Sequence, residues 1–409
     1  MQDRASDRLT AYKTTNVTRS TIHSVLENAT ANLTIPQGCQ VVRFENTEFL
    51  PWDNPDNIVS AEVEDIARRV KNTLLPVFFL IGGPANVINM TVYYKQGLKD
   101  RVNLCLFALS LADELFLVHT MLLFGEQIHV QFTTRERFGP LLRFMTNNNL
   151  VGFFGFSWVS QILSAIIATE RCLCVLSPLR FQTLLQTRTM AVIITAVYLV
   201  VVGVYFVVAT RYRIGCVFDP SSNTAEYTGV AGEFYQKHQQ LINYLDSFVY
   251  GAGIPGVMII VVTTTTIITT MKIRQAAAWR AGSSSASSSS SAPLSLSSSS
   301  SSISPKELAL TKMLIGVSVL FIVCVSPFAL FRFVWLFLPE MDIGRRNQNF
   351  YLTGIWTLES FSYVNSSFNI FVYYTMGSRY RDTFRSLCGI KKRDKARGES
   401  CITNTTNTS

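Results

Sequence analysis

Apolar residues gather into seven blocks, at about 73–94, 103–124, 144–169, 189–209, 244–271, 308–338 and 350–375, with polar segments between them. Each block exceeds the roughly 20 residues that carry a helix across the hydrocarbon core of a bilayer, which separates them from the shorter core helices of soluble domains. Seven crossings put the two ends of the chain on opposite sides of the membrane. The pattern predicts an all-α membrane protein, a seven-transmembrane helix bundle over 73–375, with a polar tail at 1–72 and a second tail at 376–409. Between the fifth and sixth blocks, 276–305 form a loop in which Ser283 to Ser304 is almost entirely serine. Such a tract cannot bury a core and stays solvated; phosphorylation there would add negative charge.

Composition sharpens the picture. Hydrophobic residues make up 48% of the 409 and charged residues 15%, against about 25% charged in a typical soluble domain. That balance counts against a secreted globule, a cytosolic enzyme and a nucleic-acid binder, although the formal charge is +9. Lys and Arg concentrate in the loops and tail that become cytoplasmic when 1–72 lie outside, so the N-terminus is expected outside and the C-terminus in the cytoplasm. Arg68, Arg69 and Lys71 run against that rule, because they precede the first block on the outer side. Sequons at Asn16, Asn28 and Asn32 fit an extracellular, glycosylated tail. Met1 to Arg19 lacks the apolar stretch of a cleavable signal, so the first block is expected to serve as the inserting signal, with the plasma membrane as destination.

Of eight cysteines, only Cys39 and Cys216 face the oxidising side, which permits either one bridge between them or two free thiols. Cys388 follows a basic amphipathic stretch after the last block and is a palmitoylation candidate, or an unmodified thiol. No metal-ligand spacing, nucleophile elbow or phosphate-cradling glycine loop is present, so no enzyme and no cofactor are expected. What remains are polar residues inside the blocks, which are costly in hydrocarbon and mark functional positions. Asn86, Asp113, Ser160, Asn365, Ser366 and Asn369 are the types that meet as one buried carboxylate with amide and hydroxyl partners, either to hold a small cation or as a hydrogen-bonded knot.

These residues carry a resemblance. Gly83-Pro-Ala-Asn86, Leu109-Ser-Leu-Ala-Asp113, Glu170-Arg171-Cys172 followed by Ser177-Pro178-Leu179, Pro255, Phe321-Ile-Val-Cys324-Val-Ser-Pro327 and Asn365-Ser-Ser-Phe-Asn369-Ile-Phe-Val-Tyr373 fall in order on the seven blocks. Over about 72–390 the chain resembles a rhodopsin-like (class A) G-protein-coupled receptor. Tyr94 to Leu106 and Arg332 to Glu340 look similar to gastropod mollusc chemosensory receptors.

The resemblance implies a receptor for an extracellular chemical or peptide ligand that activates a heterotrimeric G protein, with membrane lipids, arrestin and receptor kinases as further partners. It implies a switch made of Glu170, Arg171, Glu307 and Tyr373, in which Arg171 pairs with Glu307 at rest. Asp113, Ser160, Asn365, Ser366 and Asn369, with Asn86 beside them, would form a sodium pocket, the ion acting as an allosteric ligand. Phe321, Pro327 and Pro255 would transmit the signal, and 377–388 would form an amphipathic helix on the inner membrane surface.

Departures limit the transfer. Thr146 stands at the site of the usual helix-three cysteine, which makes Cys39 the candidate partner of Cys216. Val325 stands where helix six usually has Trp, and Ile370 where helix seven usually has Pro. Phe153 stands where amine receptors keep Asp, and Tyr363 where opsins keep the retinal Lys, so amine and retinal ligands are not expected. Glu126, Asn147, Asn148, Asn149, Phe153, Phe154, Arg332 and Glu359 are the candidate ligand contacts for a zwitterionic or peptide ligand, with head-group snorkelling or an internal Arg332–Glu359 pair as the plain alternative. Other functions to weigh are a neuropeptide (FMRFamide-like) receptor and, from another class, a small ion channel or transporter using Asp113 and Glu359. Transporters tend to show inverted repeats and broken helices, and neither is apparent.

Overall fold

The computed structural model describes residues 39–41, 55–133, 138–177, 186–219, 224–286, 305–338, 340–341 and 345–389. The sequons at Asn16, Asn28 and Asn32 and most of the serine tract lie outside these residues.

Seven long helices form the bundle. Helix α1 (Ala61–Gln96) starts twelve residues before the apolar block does: Ser60 caps it by accepting from the Val63 amide at 3.4 Å, and Glu62 and Glu64 complement the dipole of its first turn. It ends at Gly97, whose φ of 97° few side-chain-bearing residues adopt. At 1.5 Å per residue its 36 residues reach about 54 Å, well past a hydrocarbon core of about 30 Å. Helix α2 is Arg101–Thr133. The third block is broken: a short helix, Pro140–Asn147, stops where Asn149 turns left-handed at φ 59°, and a 3-10 segment, Leu150–Gly155, leads into α3 (Phe156–Leu176). Helix α4 is Thr187–Ala209. Helix α5 (Ile254–Ala286) follows a π-helical stretch, Tyr244–Gly253, and runs about ten residues into the loop expected from 276. Helices α6 (Pro305–Phe337), α7 (Gln348–Met376) and α8 (Ser378–Leu387) are the last among the described residues.

Six of these helices, α1 to α6, are long and apolar enough to cross a membrane. Helix α7 is long enough at 29 residues but more polar, because it turns Glu359, Asn365, Ser366, Ser367 and Asn369 into the bundle, where all five are buried. Outward-facing Leu80, Val192, Leu199, Ile260 and Leu330 are exposed, a surface suited to lipid rather than water. One end of the bundle is covered by a hairpin, β2 (Tyr212–Asp219) antiparallel to β3 (Thr224–Ala231), with β1 (Cys39–Val41) added parallel to β2. The register sets Cys39 opposite Cys216, and Cys216 is disulfide-bonded, as the expected Cys39–Cys216 bridge requires. The opposite end carries α8.

Candidate functional site

The centre of the site is a polar knot among α1, α2, α3 and α7. Asp113, fully buried, accepts hydrogen bonds on Oδ1 from Ser160 Oγ at 2.7 Å and Ser366 Oγ at 2.8 Å, and on Oδ2 from Asn369 Nδ2 at 3.0 Å. Ser366 and Asn369 reach the same carboxylate because residues three apart share a helix face. Asn86 stands beside the knot, as expected, and Asn365 is the one expected member that does not join it. Asn86 donates to the Ser366 backbone carbonyl at 2.9 Å and not to Asp113, and Asn365 is buried without bonding the carboxylate, being turned about 100° from Ser366 around α7. Among the described residues no cationic side chain pairs with Asp113. The knot therefore holds a carboxylate with three neutral donors, and the buried Asn369 Oδ1 beside it has no hydrogen-bond partner. Carboxylate, hydroxyl and amide oxygens are the hard donors that alkali and alkaline-earth cations take, so the residues present fit a small cation.

From this knot a chain of contacts runs to the α8 end. Asn89 donates to Asn86 Oδ1 at 3.5 Å and accepts from the Tyr380 hydroxyl at 2.5 Å, which ties α8 to α1. Burial pushes the Tyr380 phenol well above its ordinary pKa and keeps it a neutral donor. Tyr373, fully buried, packs its ring 5.5 Å from both Tyr93 and Tyr380. Arg171 closes this end of α3, and its ion pair is with Glu170 rather than with Glu307. Glu170 also accepts from Arg101 Nε at 2.9 Å, so one buried carboxylate holds two guanidiniums. Glu307 sits exposed in the first turn of α6, across a cavity of about 970 Å³ that it lines together with Arg171, Arg101 and Tyr380. The neighbouring carboxylate wins because it is already desolvated and in contact with the guanidinium. Cys388, which caps α8, is exposed with a free thiol.

At the hairpin end a second cavity, of about 360 Å³, opens among the helices. Phe154, Arg332 and Glu359 line it as expected. The Arg332–Glu359 pair does not form. Glu359 lies 2.9 Å from Lys71 Nζ on α1, while Arg332 reaches Asp246 Oδ1 at 3.1 Å and the Tyr351 hydroxyl at 3.0 Å. Asp246 stands on the π-helical stretch and also accepts from Arg211 at 2.6 Å. The other ligand candidates serve the scaffold and do not line this cavity. Glu126 accepts from the Leu141 and Leu142 amides at 2.8 and 3.3 Å, capping the short helix there. Asn147 clamps β2, exchanging two hydrogen bonds with the Ile214 backbone at 2.8 and 3.2 Å. Asn148 bonds back to the Phe144 carbonyl, and Asn149 makes the left-handed turn. Phe153 packs on Phe156 and Phe206, away from the cavity.

Lys71, Arg211, Asp246 and Trp158 are the site residues the sequence reading missed. Trp158 lines the cavity floor and donates from Nε1 to the Tyr250 carbonyl at 2.8 Å, while the Tyr250 hydroxyl donates to the Val201 carbonyl at 2.7 Å, which joins α3, α4 and the π-helical stretch. One layer further in, Phe321 of α6 is fully buried against Ala165, Ala168, Val262 and Val325. Pro327 lies inside α6, and Pro255 follows the π-helical stretch in the first turn of α5.

Two cavities lie at opposite ends of a lipid-facing bundle, with a buried polar knot between them. The family model for the 7 transmembrane receptor (rhodopsin family) matches residues 85–373, from the α1 side of the knot to Tyr373. Among curated proteins, none matches the chain. The chain is a multi-pass membrane protein, and it belongs to the rhodopsin family of seven-transmembrane receptors.

Proposed function

We propose that this receptor lies in the plasma membrane with its hairpin outside, takes an extracellular chemical ligand into the hairpin-end cavity in a chemosensory role, and activates a heterotrimeric G protein at the α8 end. The observation that carries this reading is Arg171, held by a buried Glu170 at the wall of a cavity large enough to receive a segment of a partner protein. A charge-assisted pair of this kind contributes about 1.5–3 kcal/mol. A ligand that prefers the state in which the pair is broken needs differential binding of only that size to shift the population. Helix α6 is the element that links the two ends: Arg332 near one end lines the ligand cavity, Phe321 sits at its middle, and Glu307, Leu310 and Met313 line the cavity at the other.

Asp113, Ser160, Ser366 and Asn369 would hold a sodium ion, which supplies a counter-charge to the buried carboxylate; these residues fix α2, α3 and α7 to one another whether or not the ion is bound. In the same reading the serine tract and tail present sites to receptor kinases and, once phosphorylated, to arrestin. The test is nucleotide exchange on purified G protein by receptor reconstituted in nanodiscs. Glu170→Gln, which weakens the hold on Arg171, is expected to raise basal exchange about tenfold, and Arg171→Gln to abolish it. Equal basal exchange in all three proteins would overturn the reading.

A further inference from the structure

Glu114 of α2 is a polar side chain that neither the knot nor the two cavities account for. It follows Asp113 in sequence but points about 100° away from it around the helix. There it stands against α1, where a Cβ added to Gly83 would lie 3.7 and 3.8 Å from its two carboxyl oxygens. Its Oε2 is enclosed and has no hydrogen-bond partner, and among the described residues no hydrogen bond or ion pair reaches either oxygen. The residue is only half-buried, and the surface beside it is made for lipid: Leu80 and Val87 of α1 are 72% and 49% exposed, Pro84 is exposed, and Leu111 and Leu115 of α2 are half-buried. Along α2, Glu114 lies about 20 Å from Arg101, which places it near the middle of a hydrocarbon core about 30 Å thick. A carboxyl group left without a partner at that depth is costly.

We propose that this face is where two copies of the receptor pair, with their α1–α2 seams in contact and their two Glu114 carboxyl groups hydrogen-bonded to each other. Lipid head groups begin about 15 Å from the midplane, so the group that meets Glu114 belongs to another protein segment. A second copy supplies it with no further condition. Copies inserted the same way carry Glu114 at one depth, and a two-fold axis along the membrane normal sets identical residues opposite each other. A protonated carboxyl is donor and acceptor at once, so two of them close two hydrogen bonds and satisfy each other. Helices in lipid gain no hydrophobic drive from pairing, and a polar contact of this kind selects one face over the rest. By contrast, the exposed Val192, Leu199 and Val200 of α4 are served as well by lipid as by protein. The inference rests on the lipid-facing bundle and stands apart from the ligand and G-protein readings.

The experiment measures resonance energy transfer between full-length receptors that carry a donor or an acceptor fluorescent protein after residue 409. It is done in the surface membrane of living cells, where every copy inserts the same way, and transfer is read against the surface density of acceptor. The unaltered chain is expected to give a curve that saturates. Glu114→Leu keeps the bulk and removes the hydrogen bonds, and it is expected to move half-saturation to about tenfold higher density. Glu114→Gln, whose amide is also donor and acceptor, is expected to stay within about twofold of the unaltered chain. Transfer in the unaltered chain that rises only in proportion to density, as chance encounters give, overturns the proposal whatever the variants do. A Glu114→Leu curve that matches the unaltered chain puts any contact on another face and overturns it too, as does Glu114→Gln falling as far as Glu114→Leu.

Discussion

Replacing Lys71 by Met isolates the energetics of the hairpin-end ion pair. Lys71 Nζ lies 2.9 Å from Glu359 Oε2, with side chains 1% and 7% exposed, and its ammonium sits 3.5 Å from the Phe124 ring centroid and 4.3 Å from that of Trp356. At an effective dielectric constant of about 20, charges at that separation attract by about 6 kcal/mol. Desolvating both groups offsets most of it, so the pair contributes little net stability. Removing one partner is different: Lys71→Met leaves Glu359 charged, buried and without its cation, at a cost of about 3–5 kcal/mol. Glu359→Leu strands Lys71 in the same way, cushioned by the two rings. The double variant Lys71→Met/Glu359→Leu removes both charges and keeps the volume, and it is expected within about 1–2 kcal/mol of the parent. Thermal unfolding of the purified receptor reads this directly: both single variants fall well below the parent and the double recovers most of the loss. If the losses simply add in the double, the two side chains are not a pair and the reasoning fails.

Other outcomes follow from the same geometry. Asp113→Asn is expected to fold and to abolish the rise in thermal midpoint that sodium chloride gives over N-methylglucamine chloride; an undiminished sodium response in the variant contradicts the cation site. Glu307→Ala is expected to leave basal nucleotide exchange within about twofold of the parent, because Arg171 is held by Glu170; a rise equal to that of Glu170→Gln would restore the expected pairing with Glu307. Asn147→Ala removes two hydrogen bonds to Ile214 and is expected to cost about 1–3 kcal/mol, read as faster amide exchange across 212–219; unchanged exchange there refutes the clamp.

The bundle and its polar knot are legible in the sequence because hydrocarbon imposes a length on each crossing and makes a polar residue within it conspicuous. Asp113, Ser160, Ser366 and Asn369 stand out for that reason and do meet. Pairing across helices is less legible, since it depends on how each helix is rotated and where it starts. Lys71 looks like a stray charge on the wrong side of the membrane; because α1 begins at Ala61, it faces inward to Glu359 instead. Asp246 lies at the start of the fifth block, 244–271, but nothing in that position names its partners: a π-helical stretch turns it toward Arg211 and Arg332. The three asparagines at 147–149 read as outer helix-three contacts, yet the left-handed turn at Asn149 breaks the helix there and turns Asn147 to the hairpin. The glutamate before Arg171 is a stronger partner than the distant Glu307 because contact and burial, not spacing along α6, decide the pair.

The whole account depends on which ends of the chain lie on which side of the membrane. Epitope tags placed before residue 1 and after residue 409, stained in intact and then in permeabilised cells, measure this directly. The account predicts that the first is accessible in intact cells and the second only after permeabilisation; both accessible from one side, or the reverse arrangement, would contradict it.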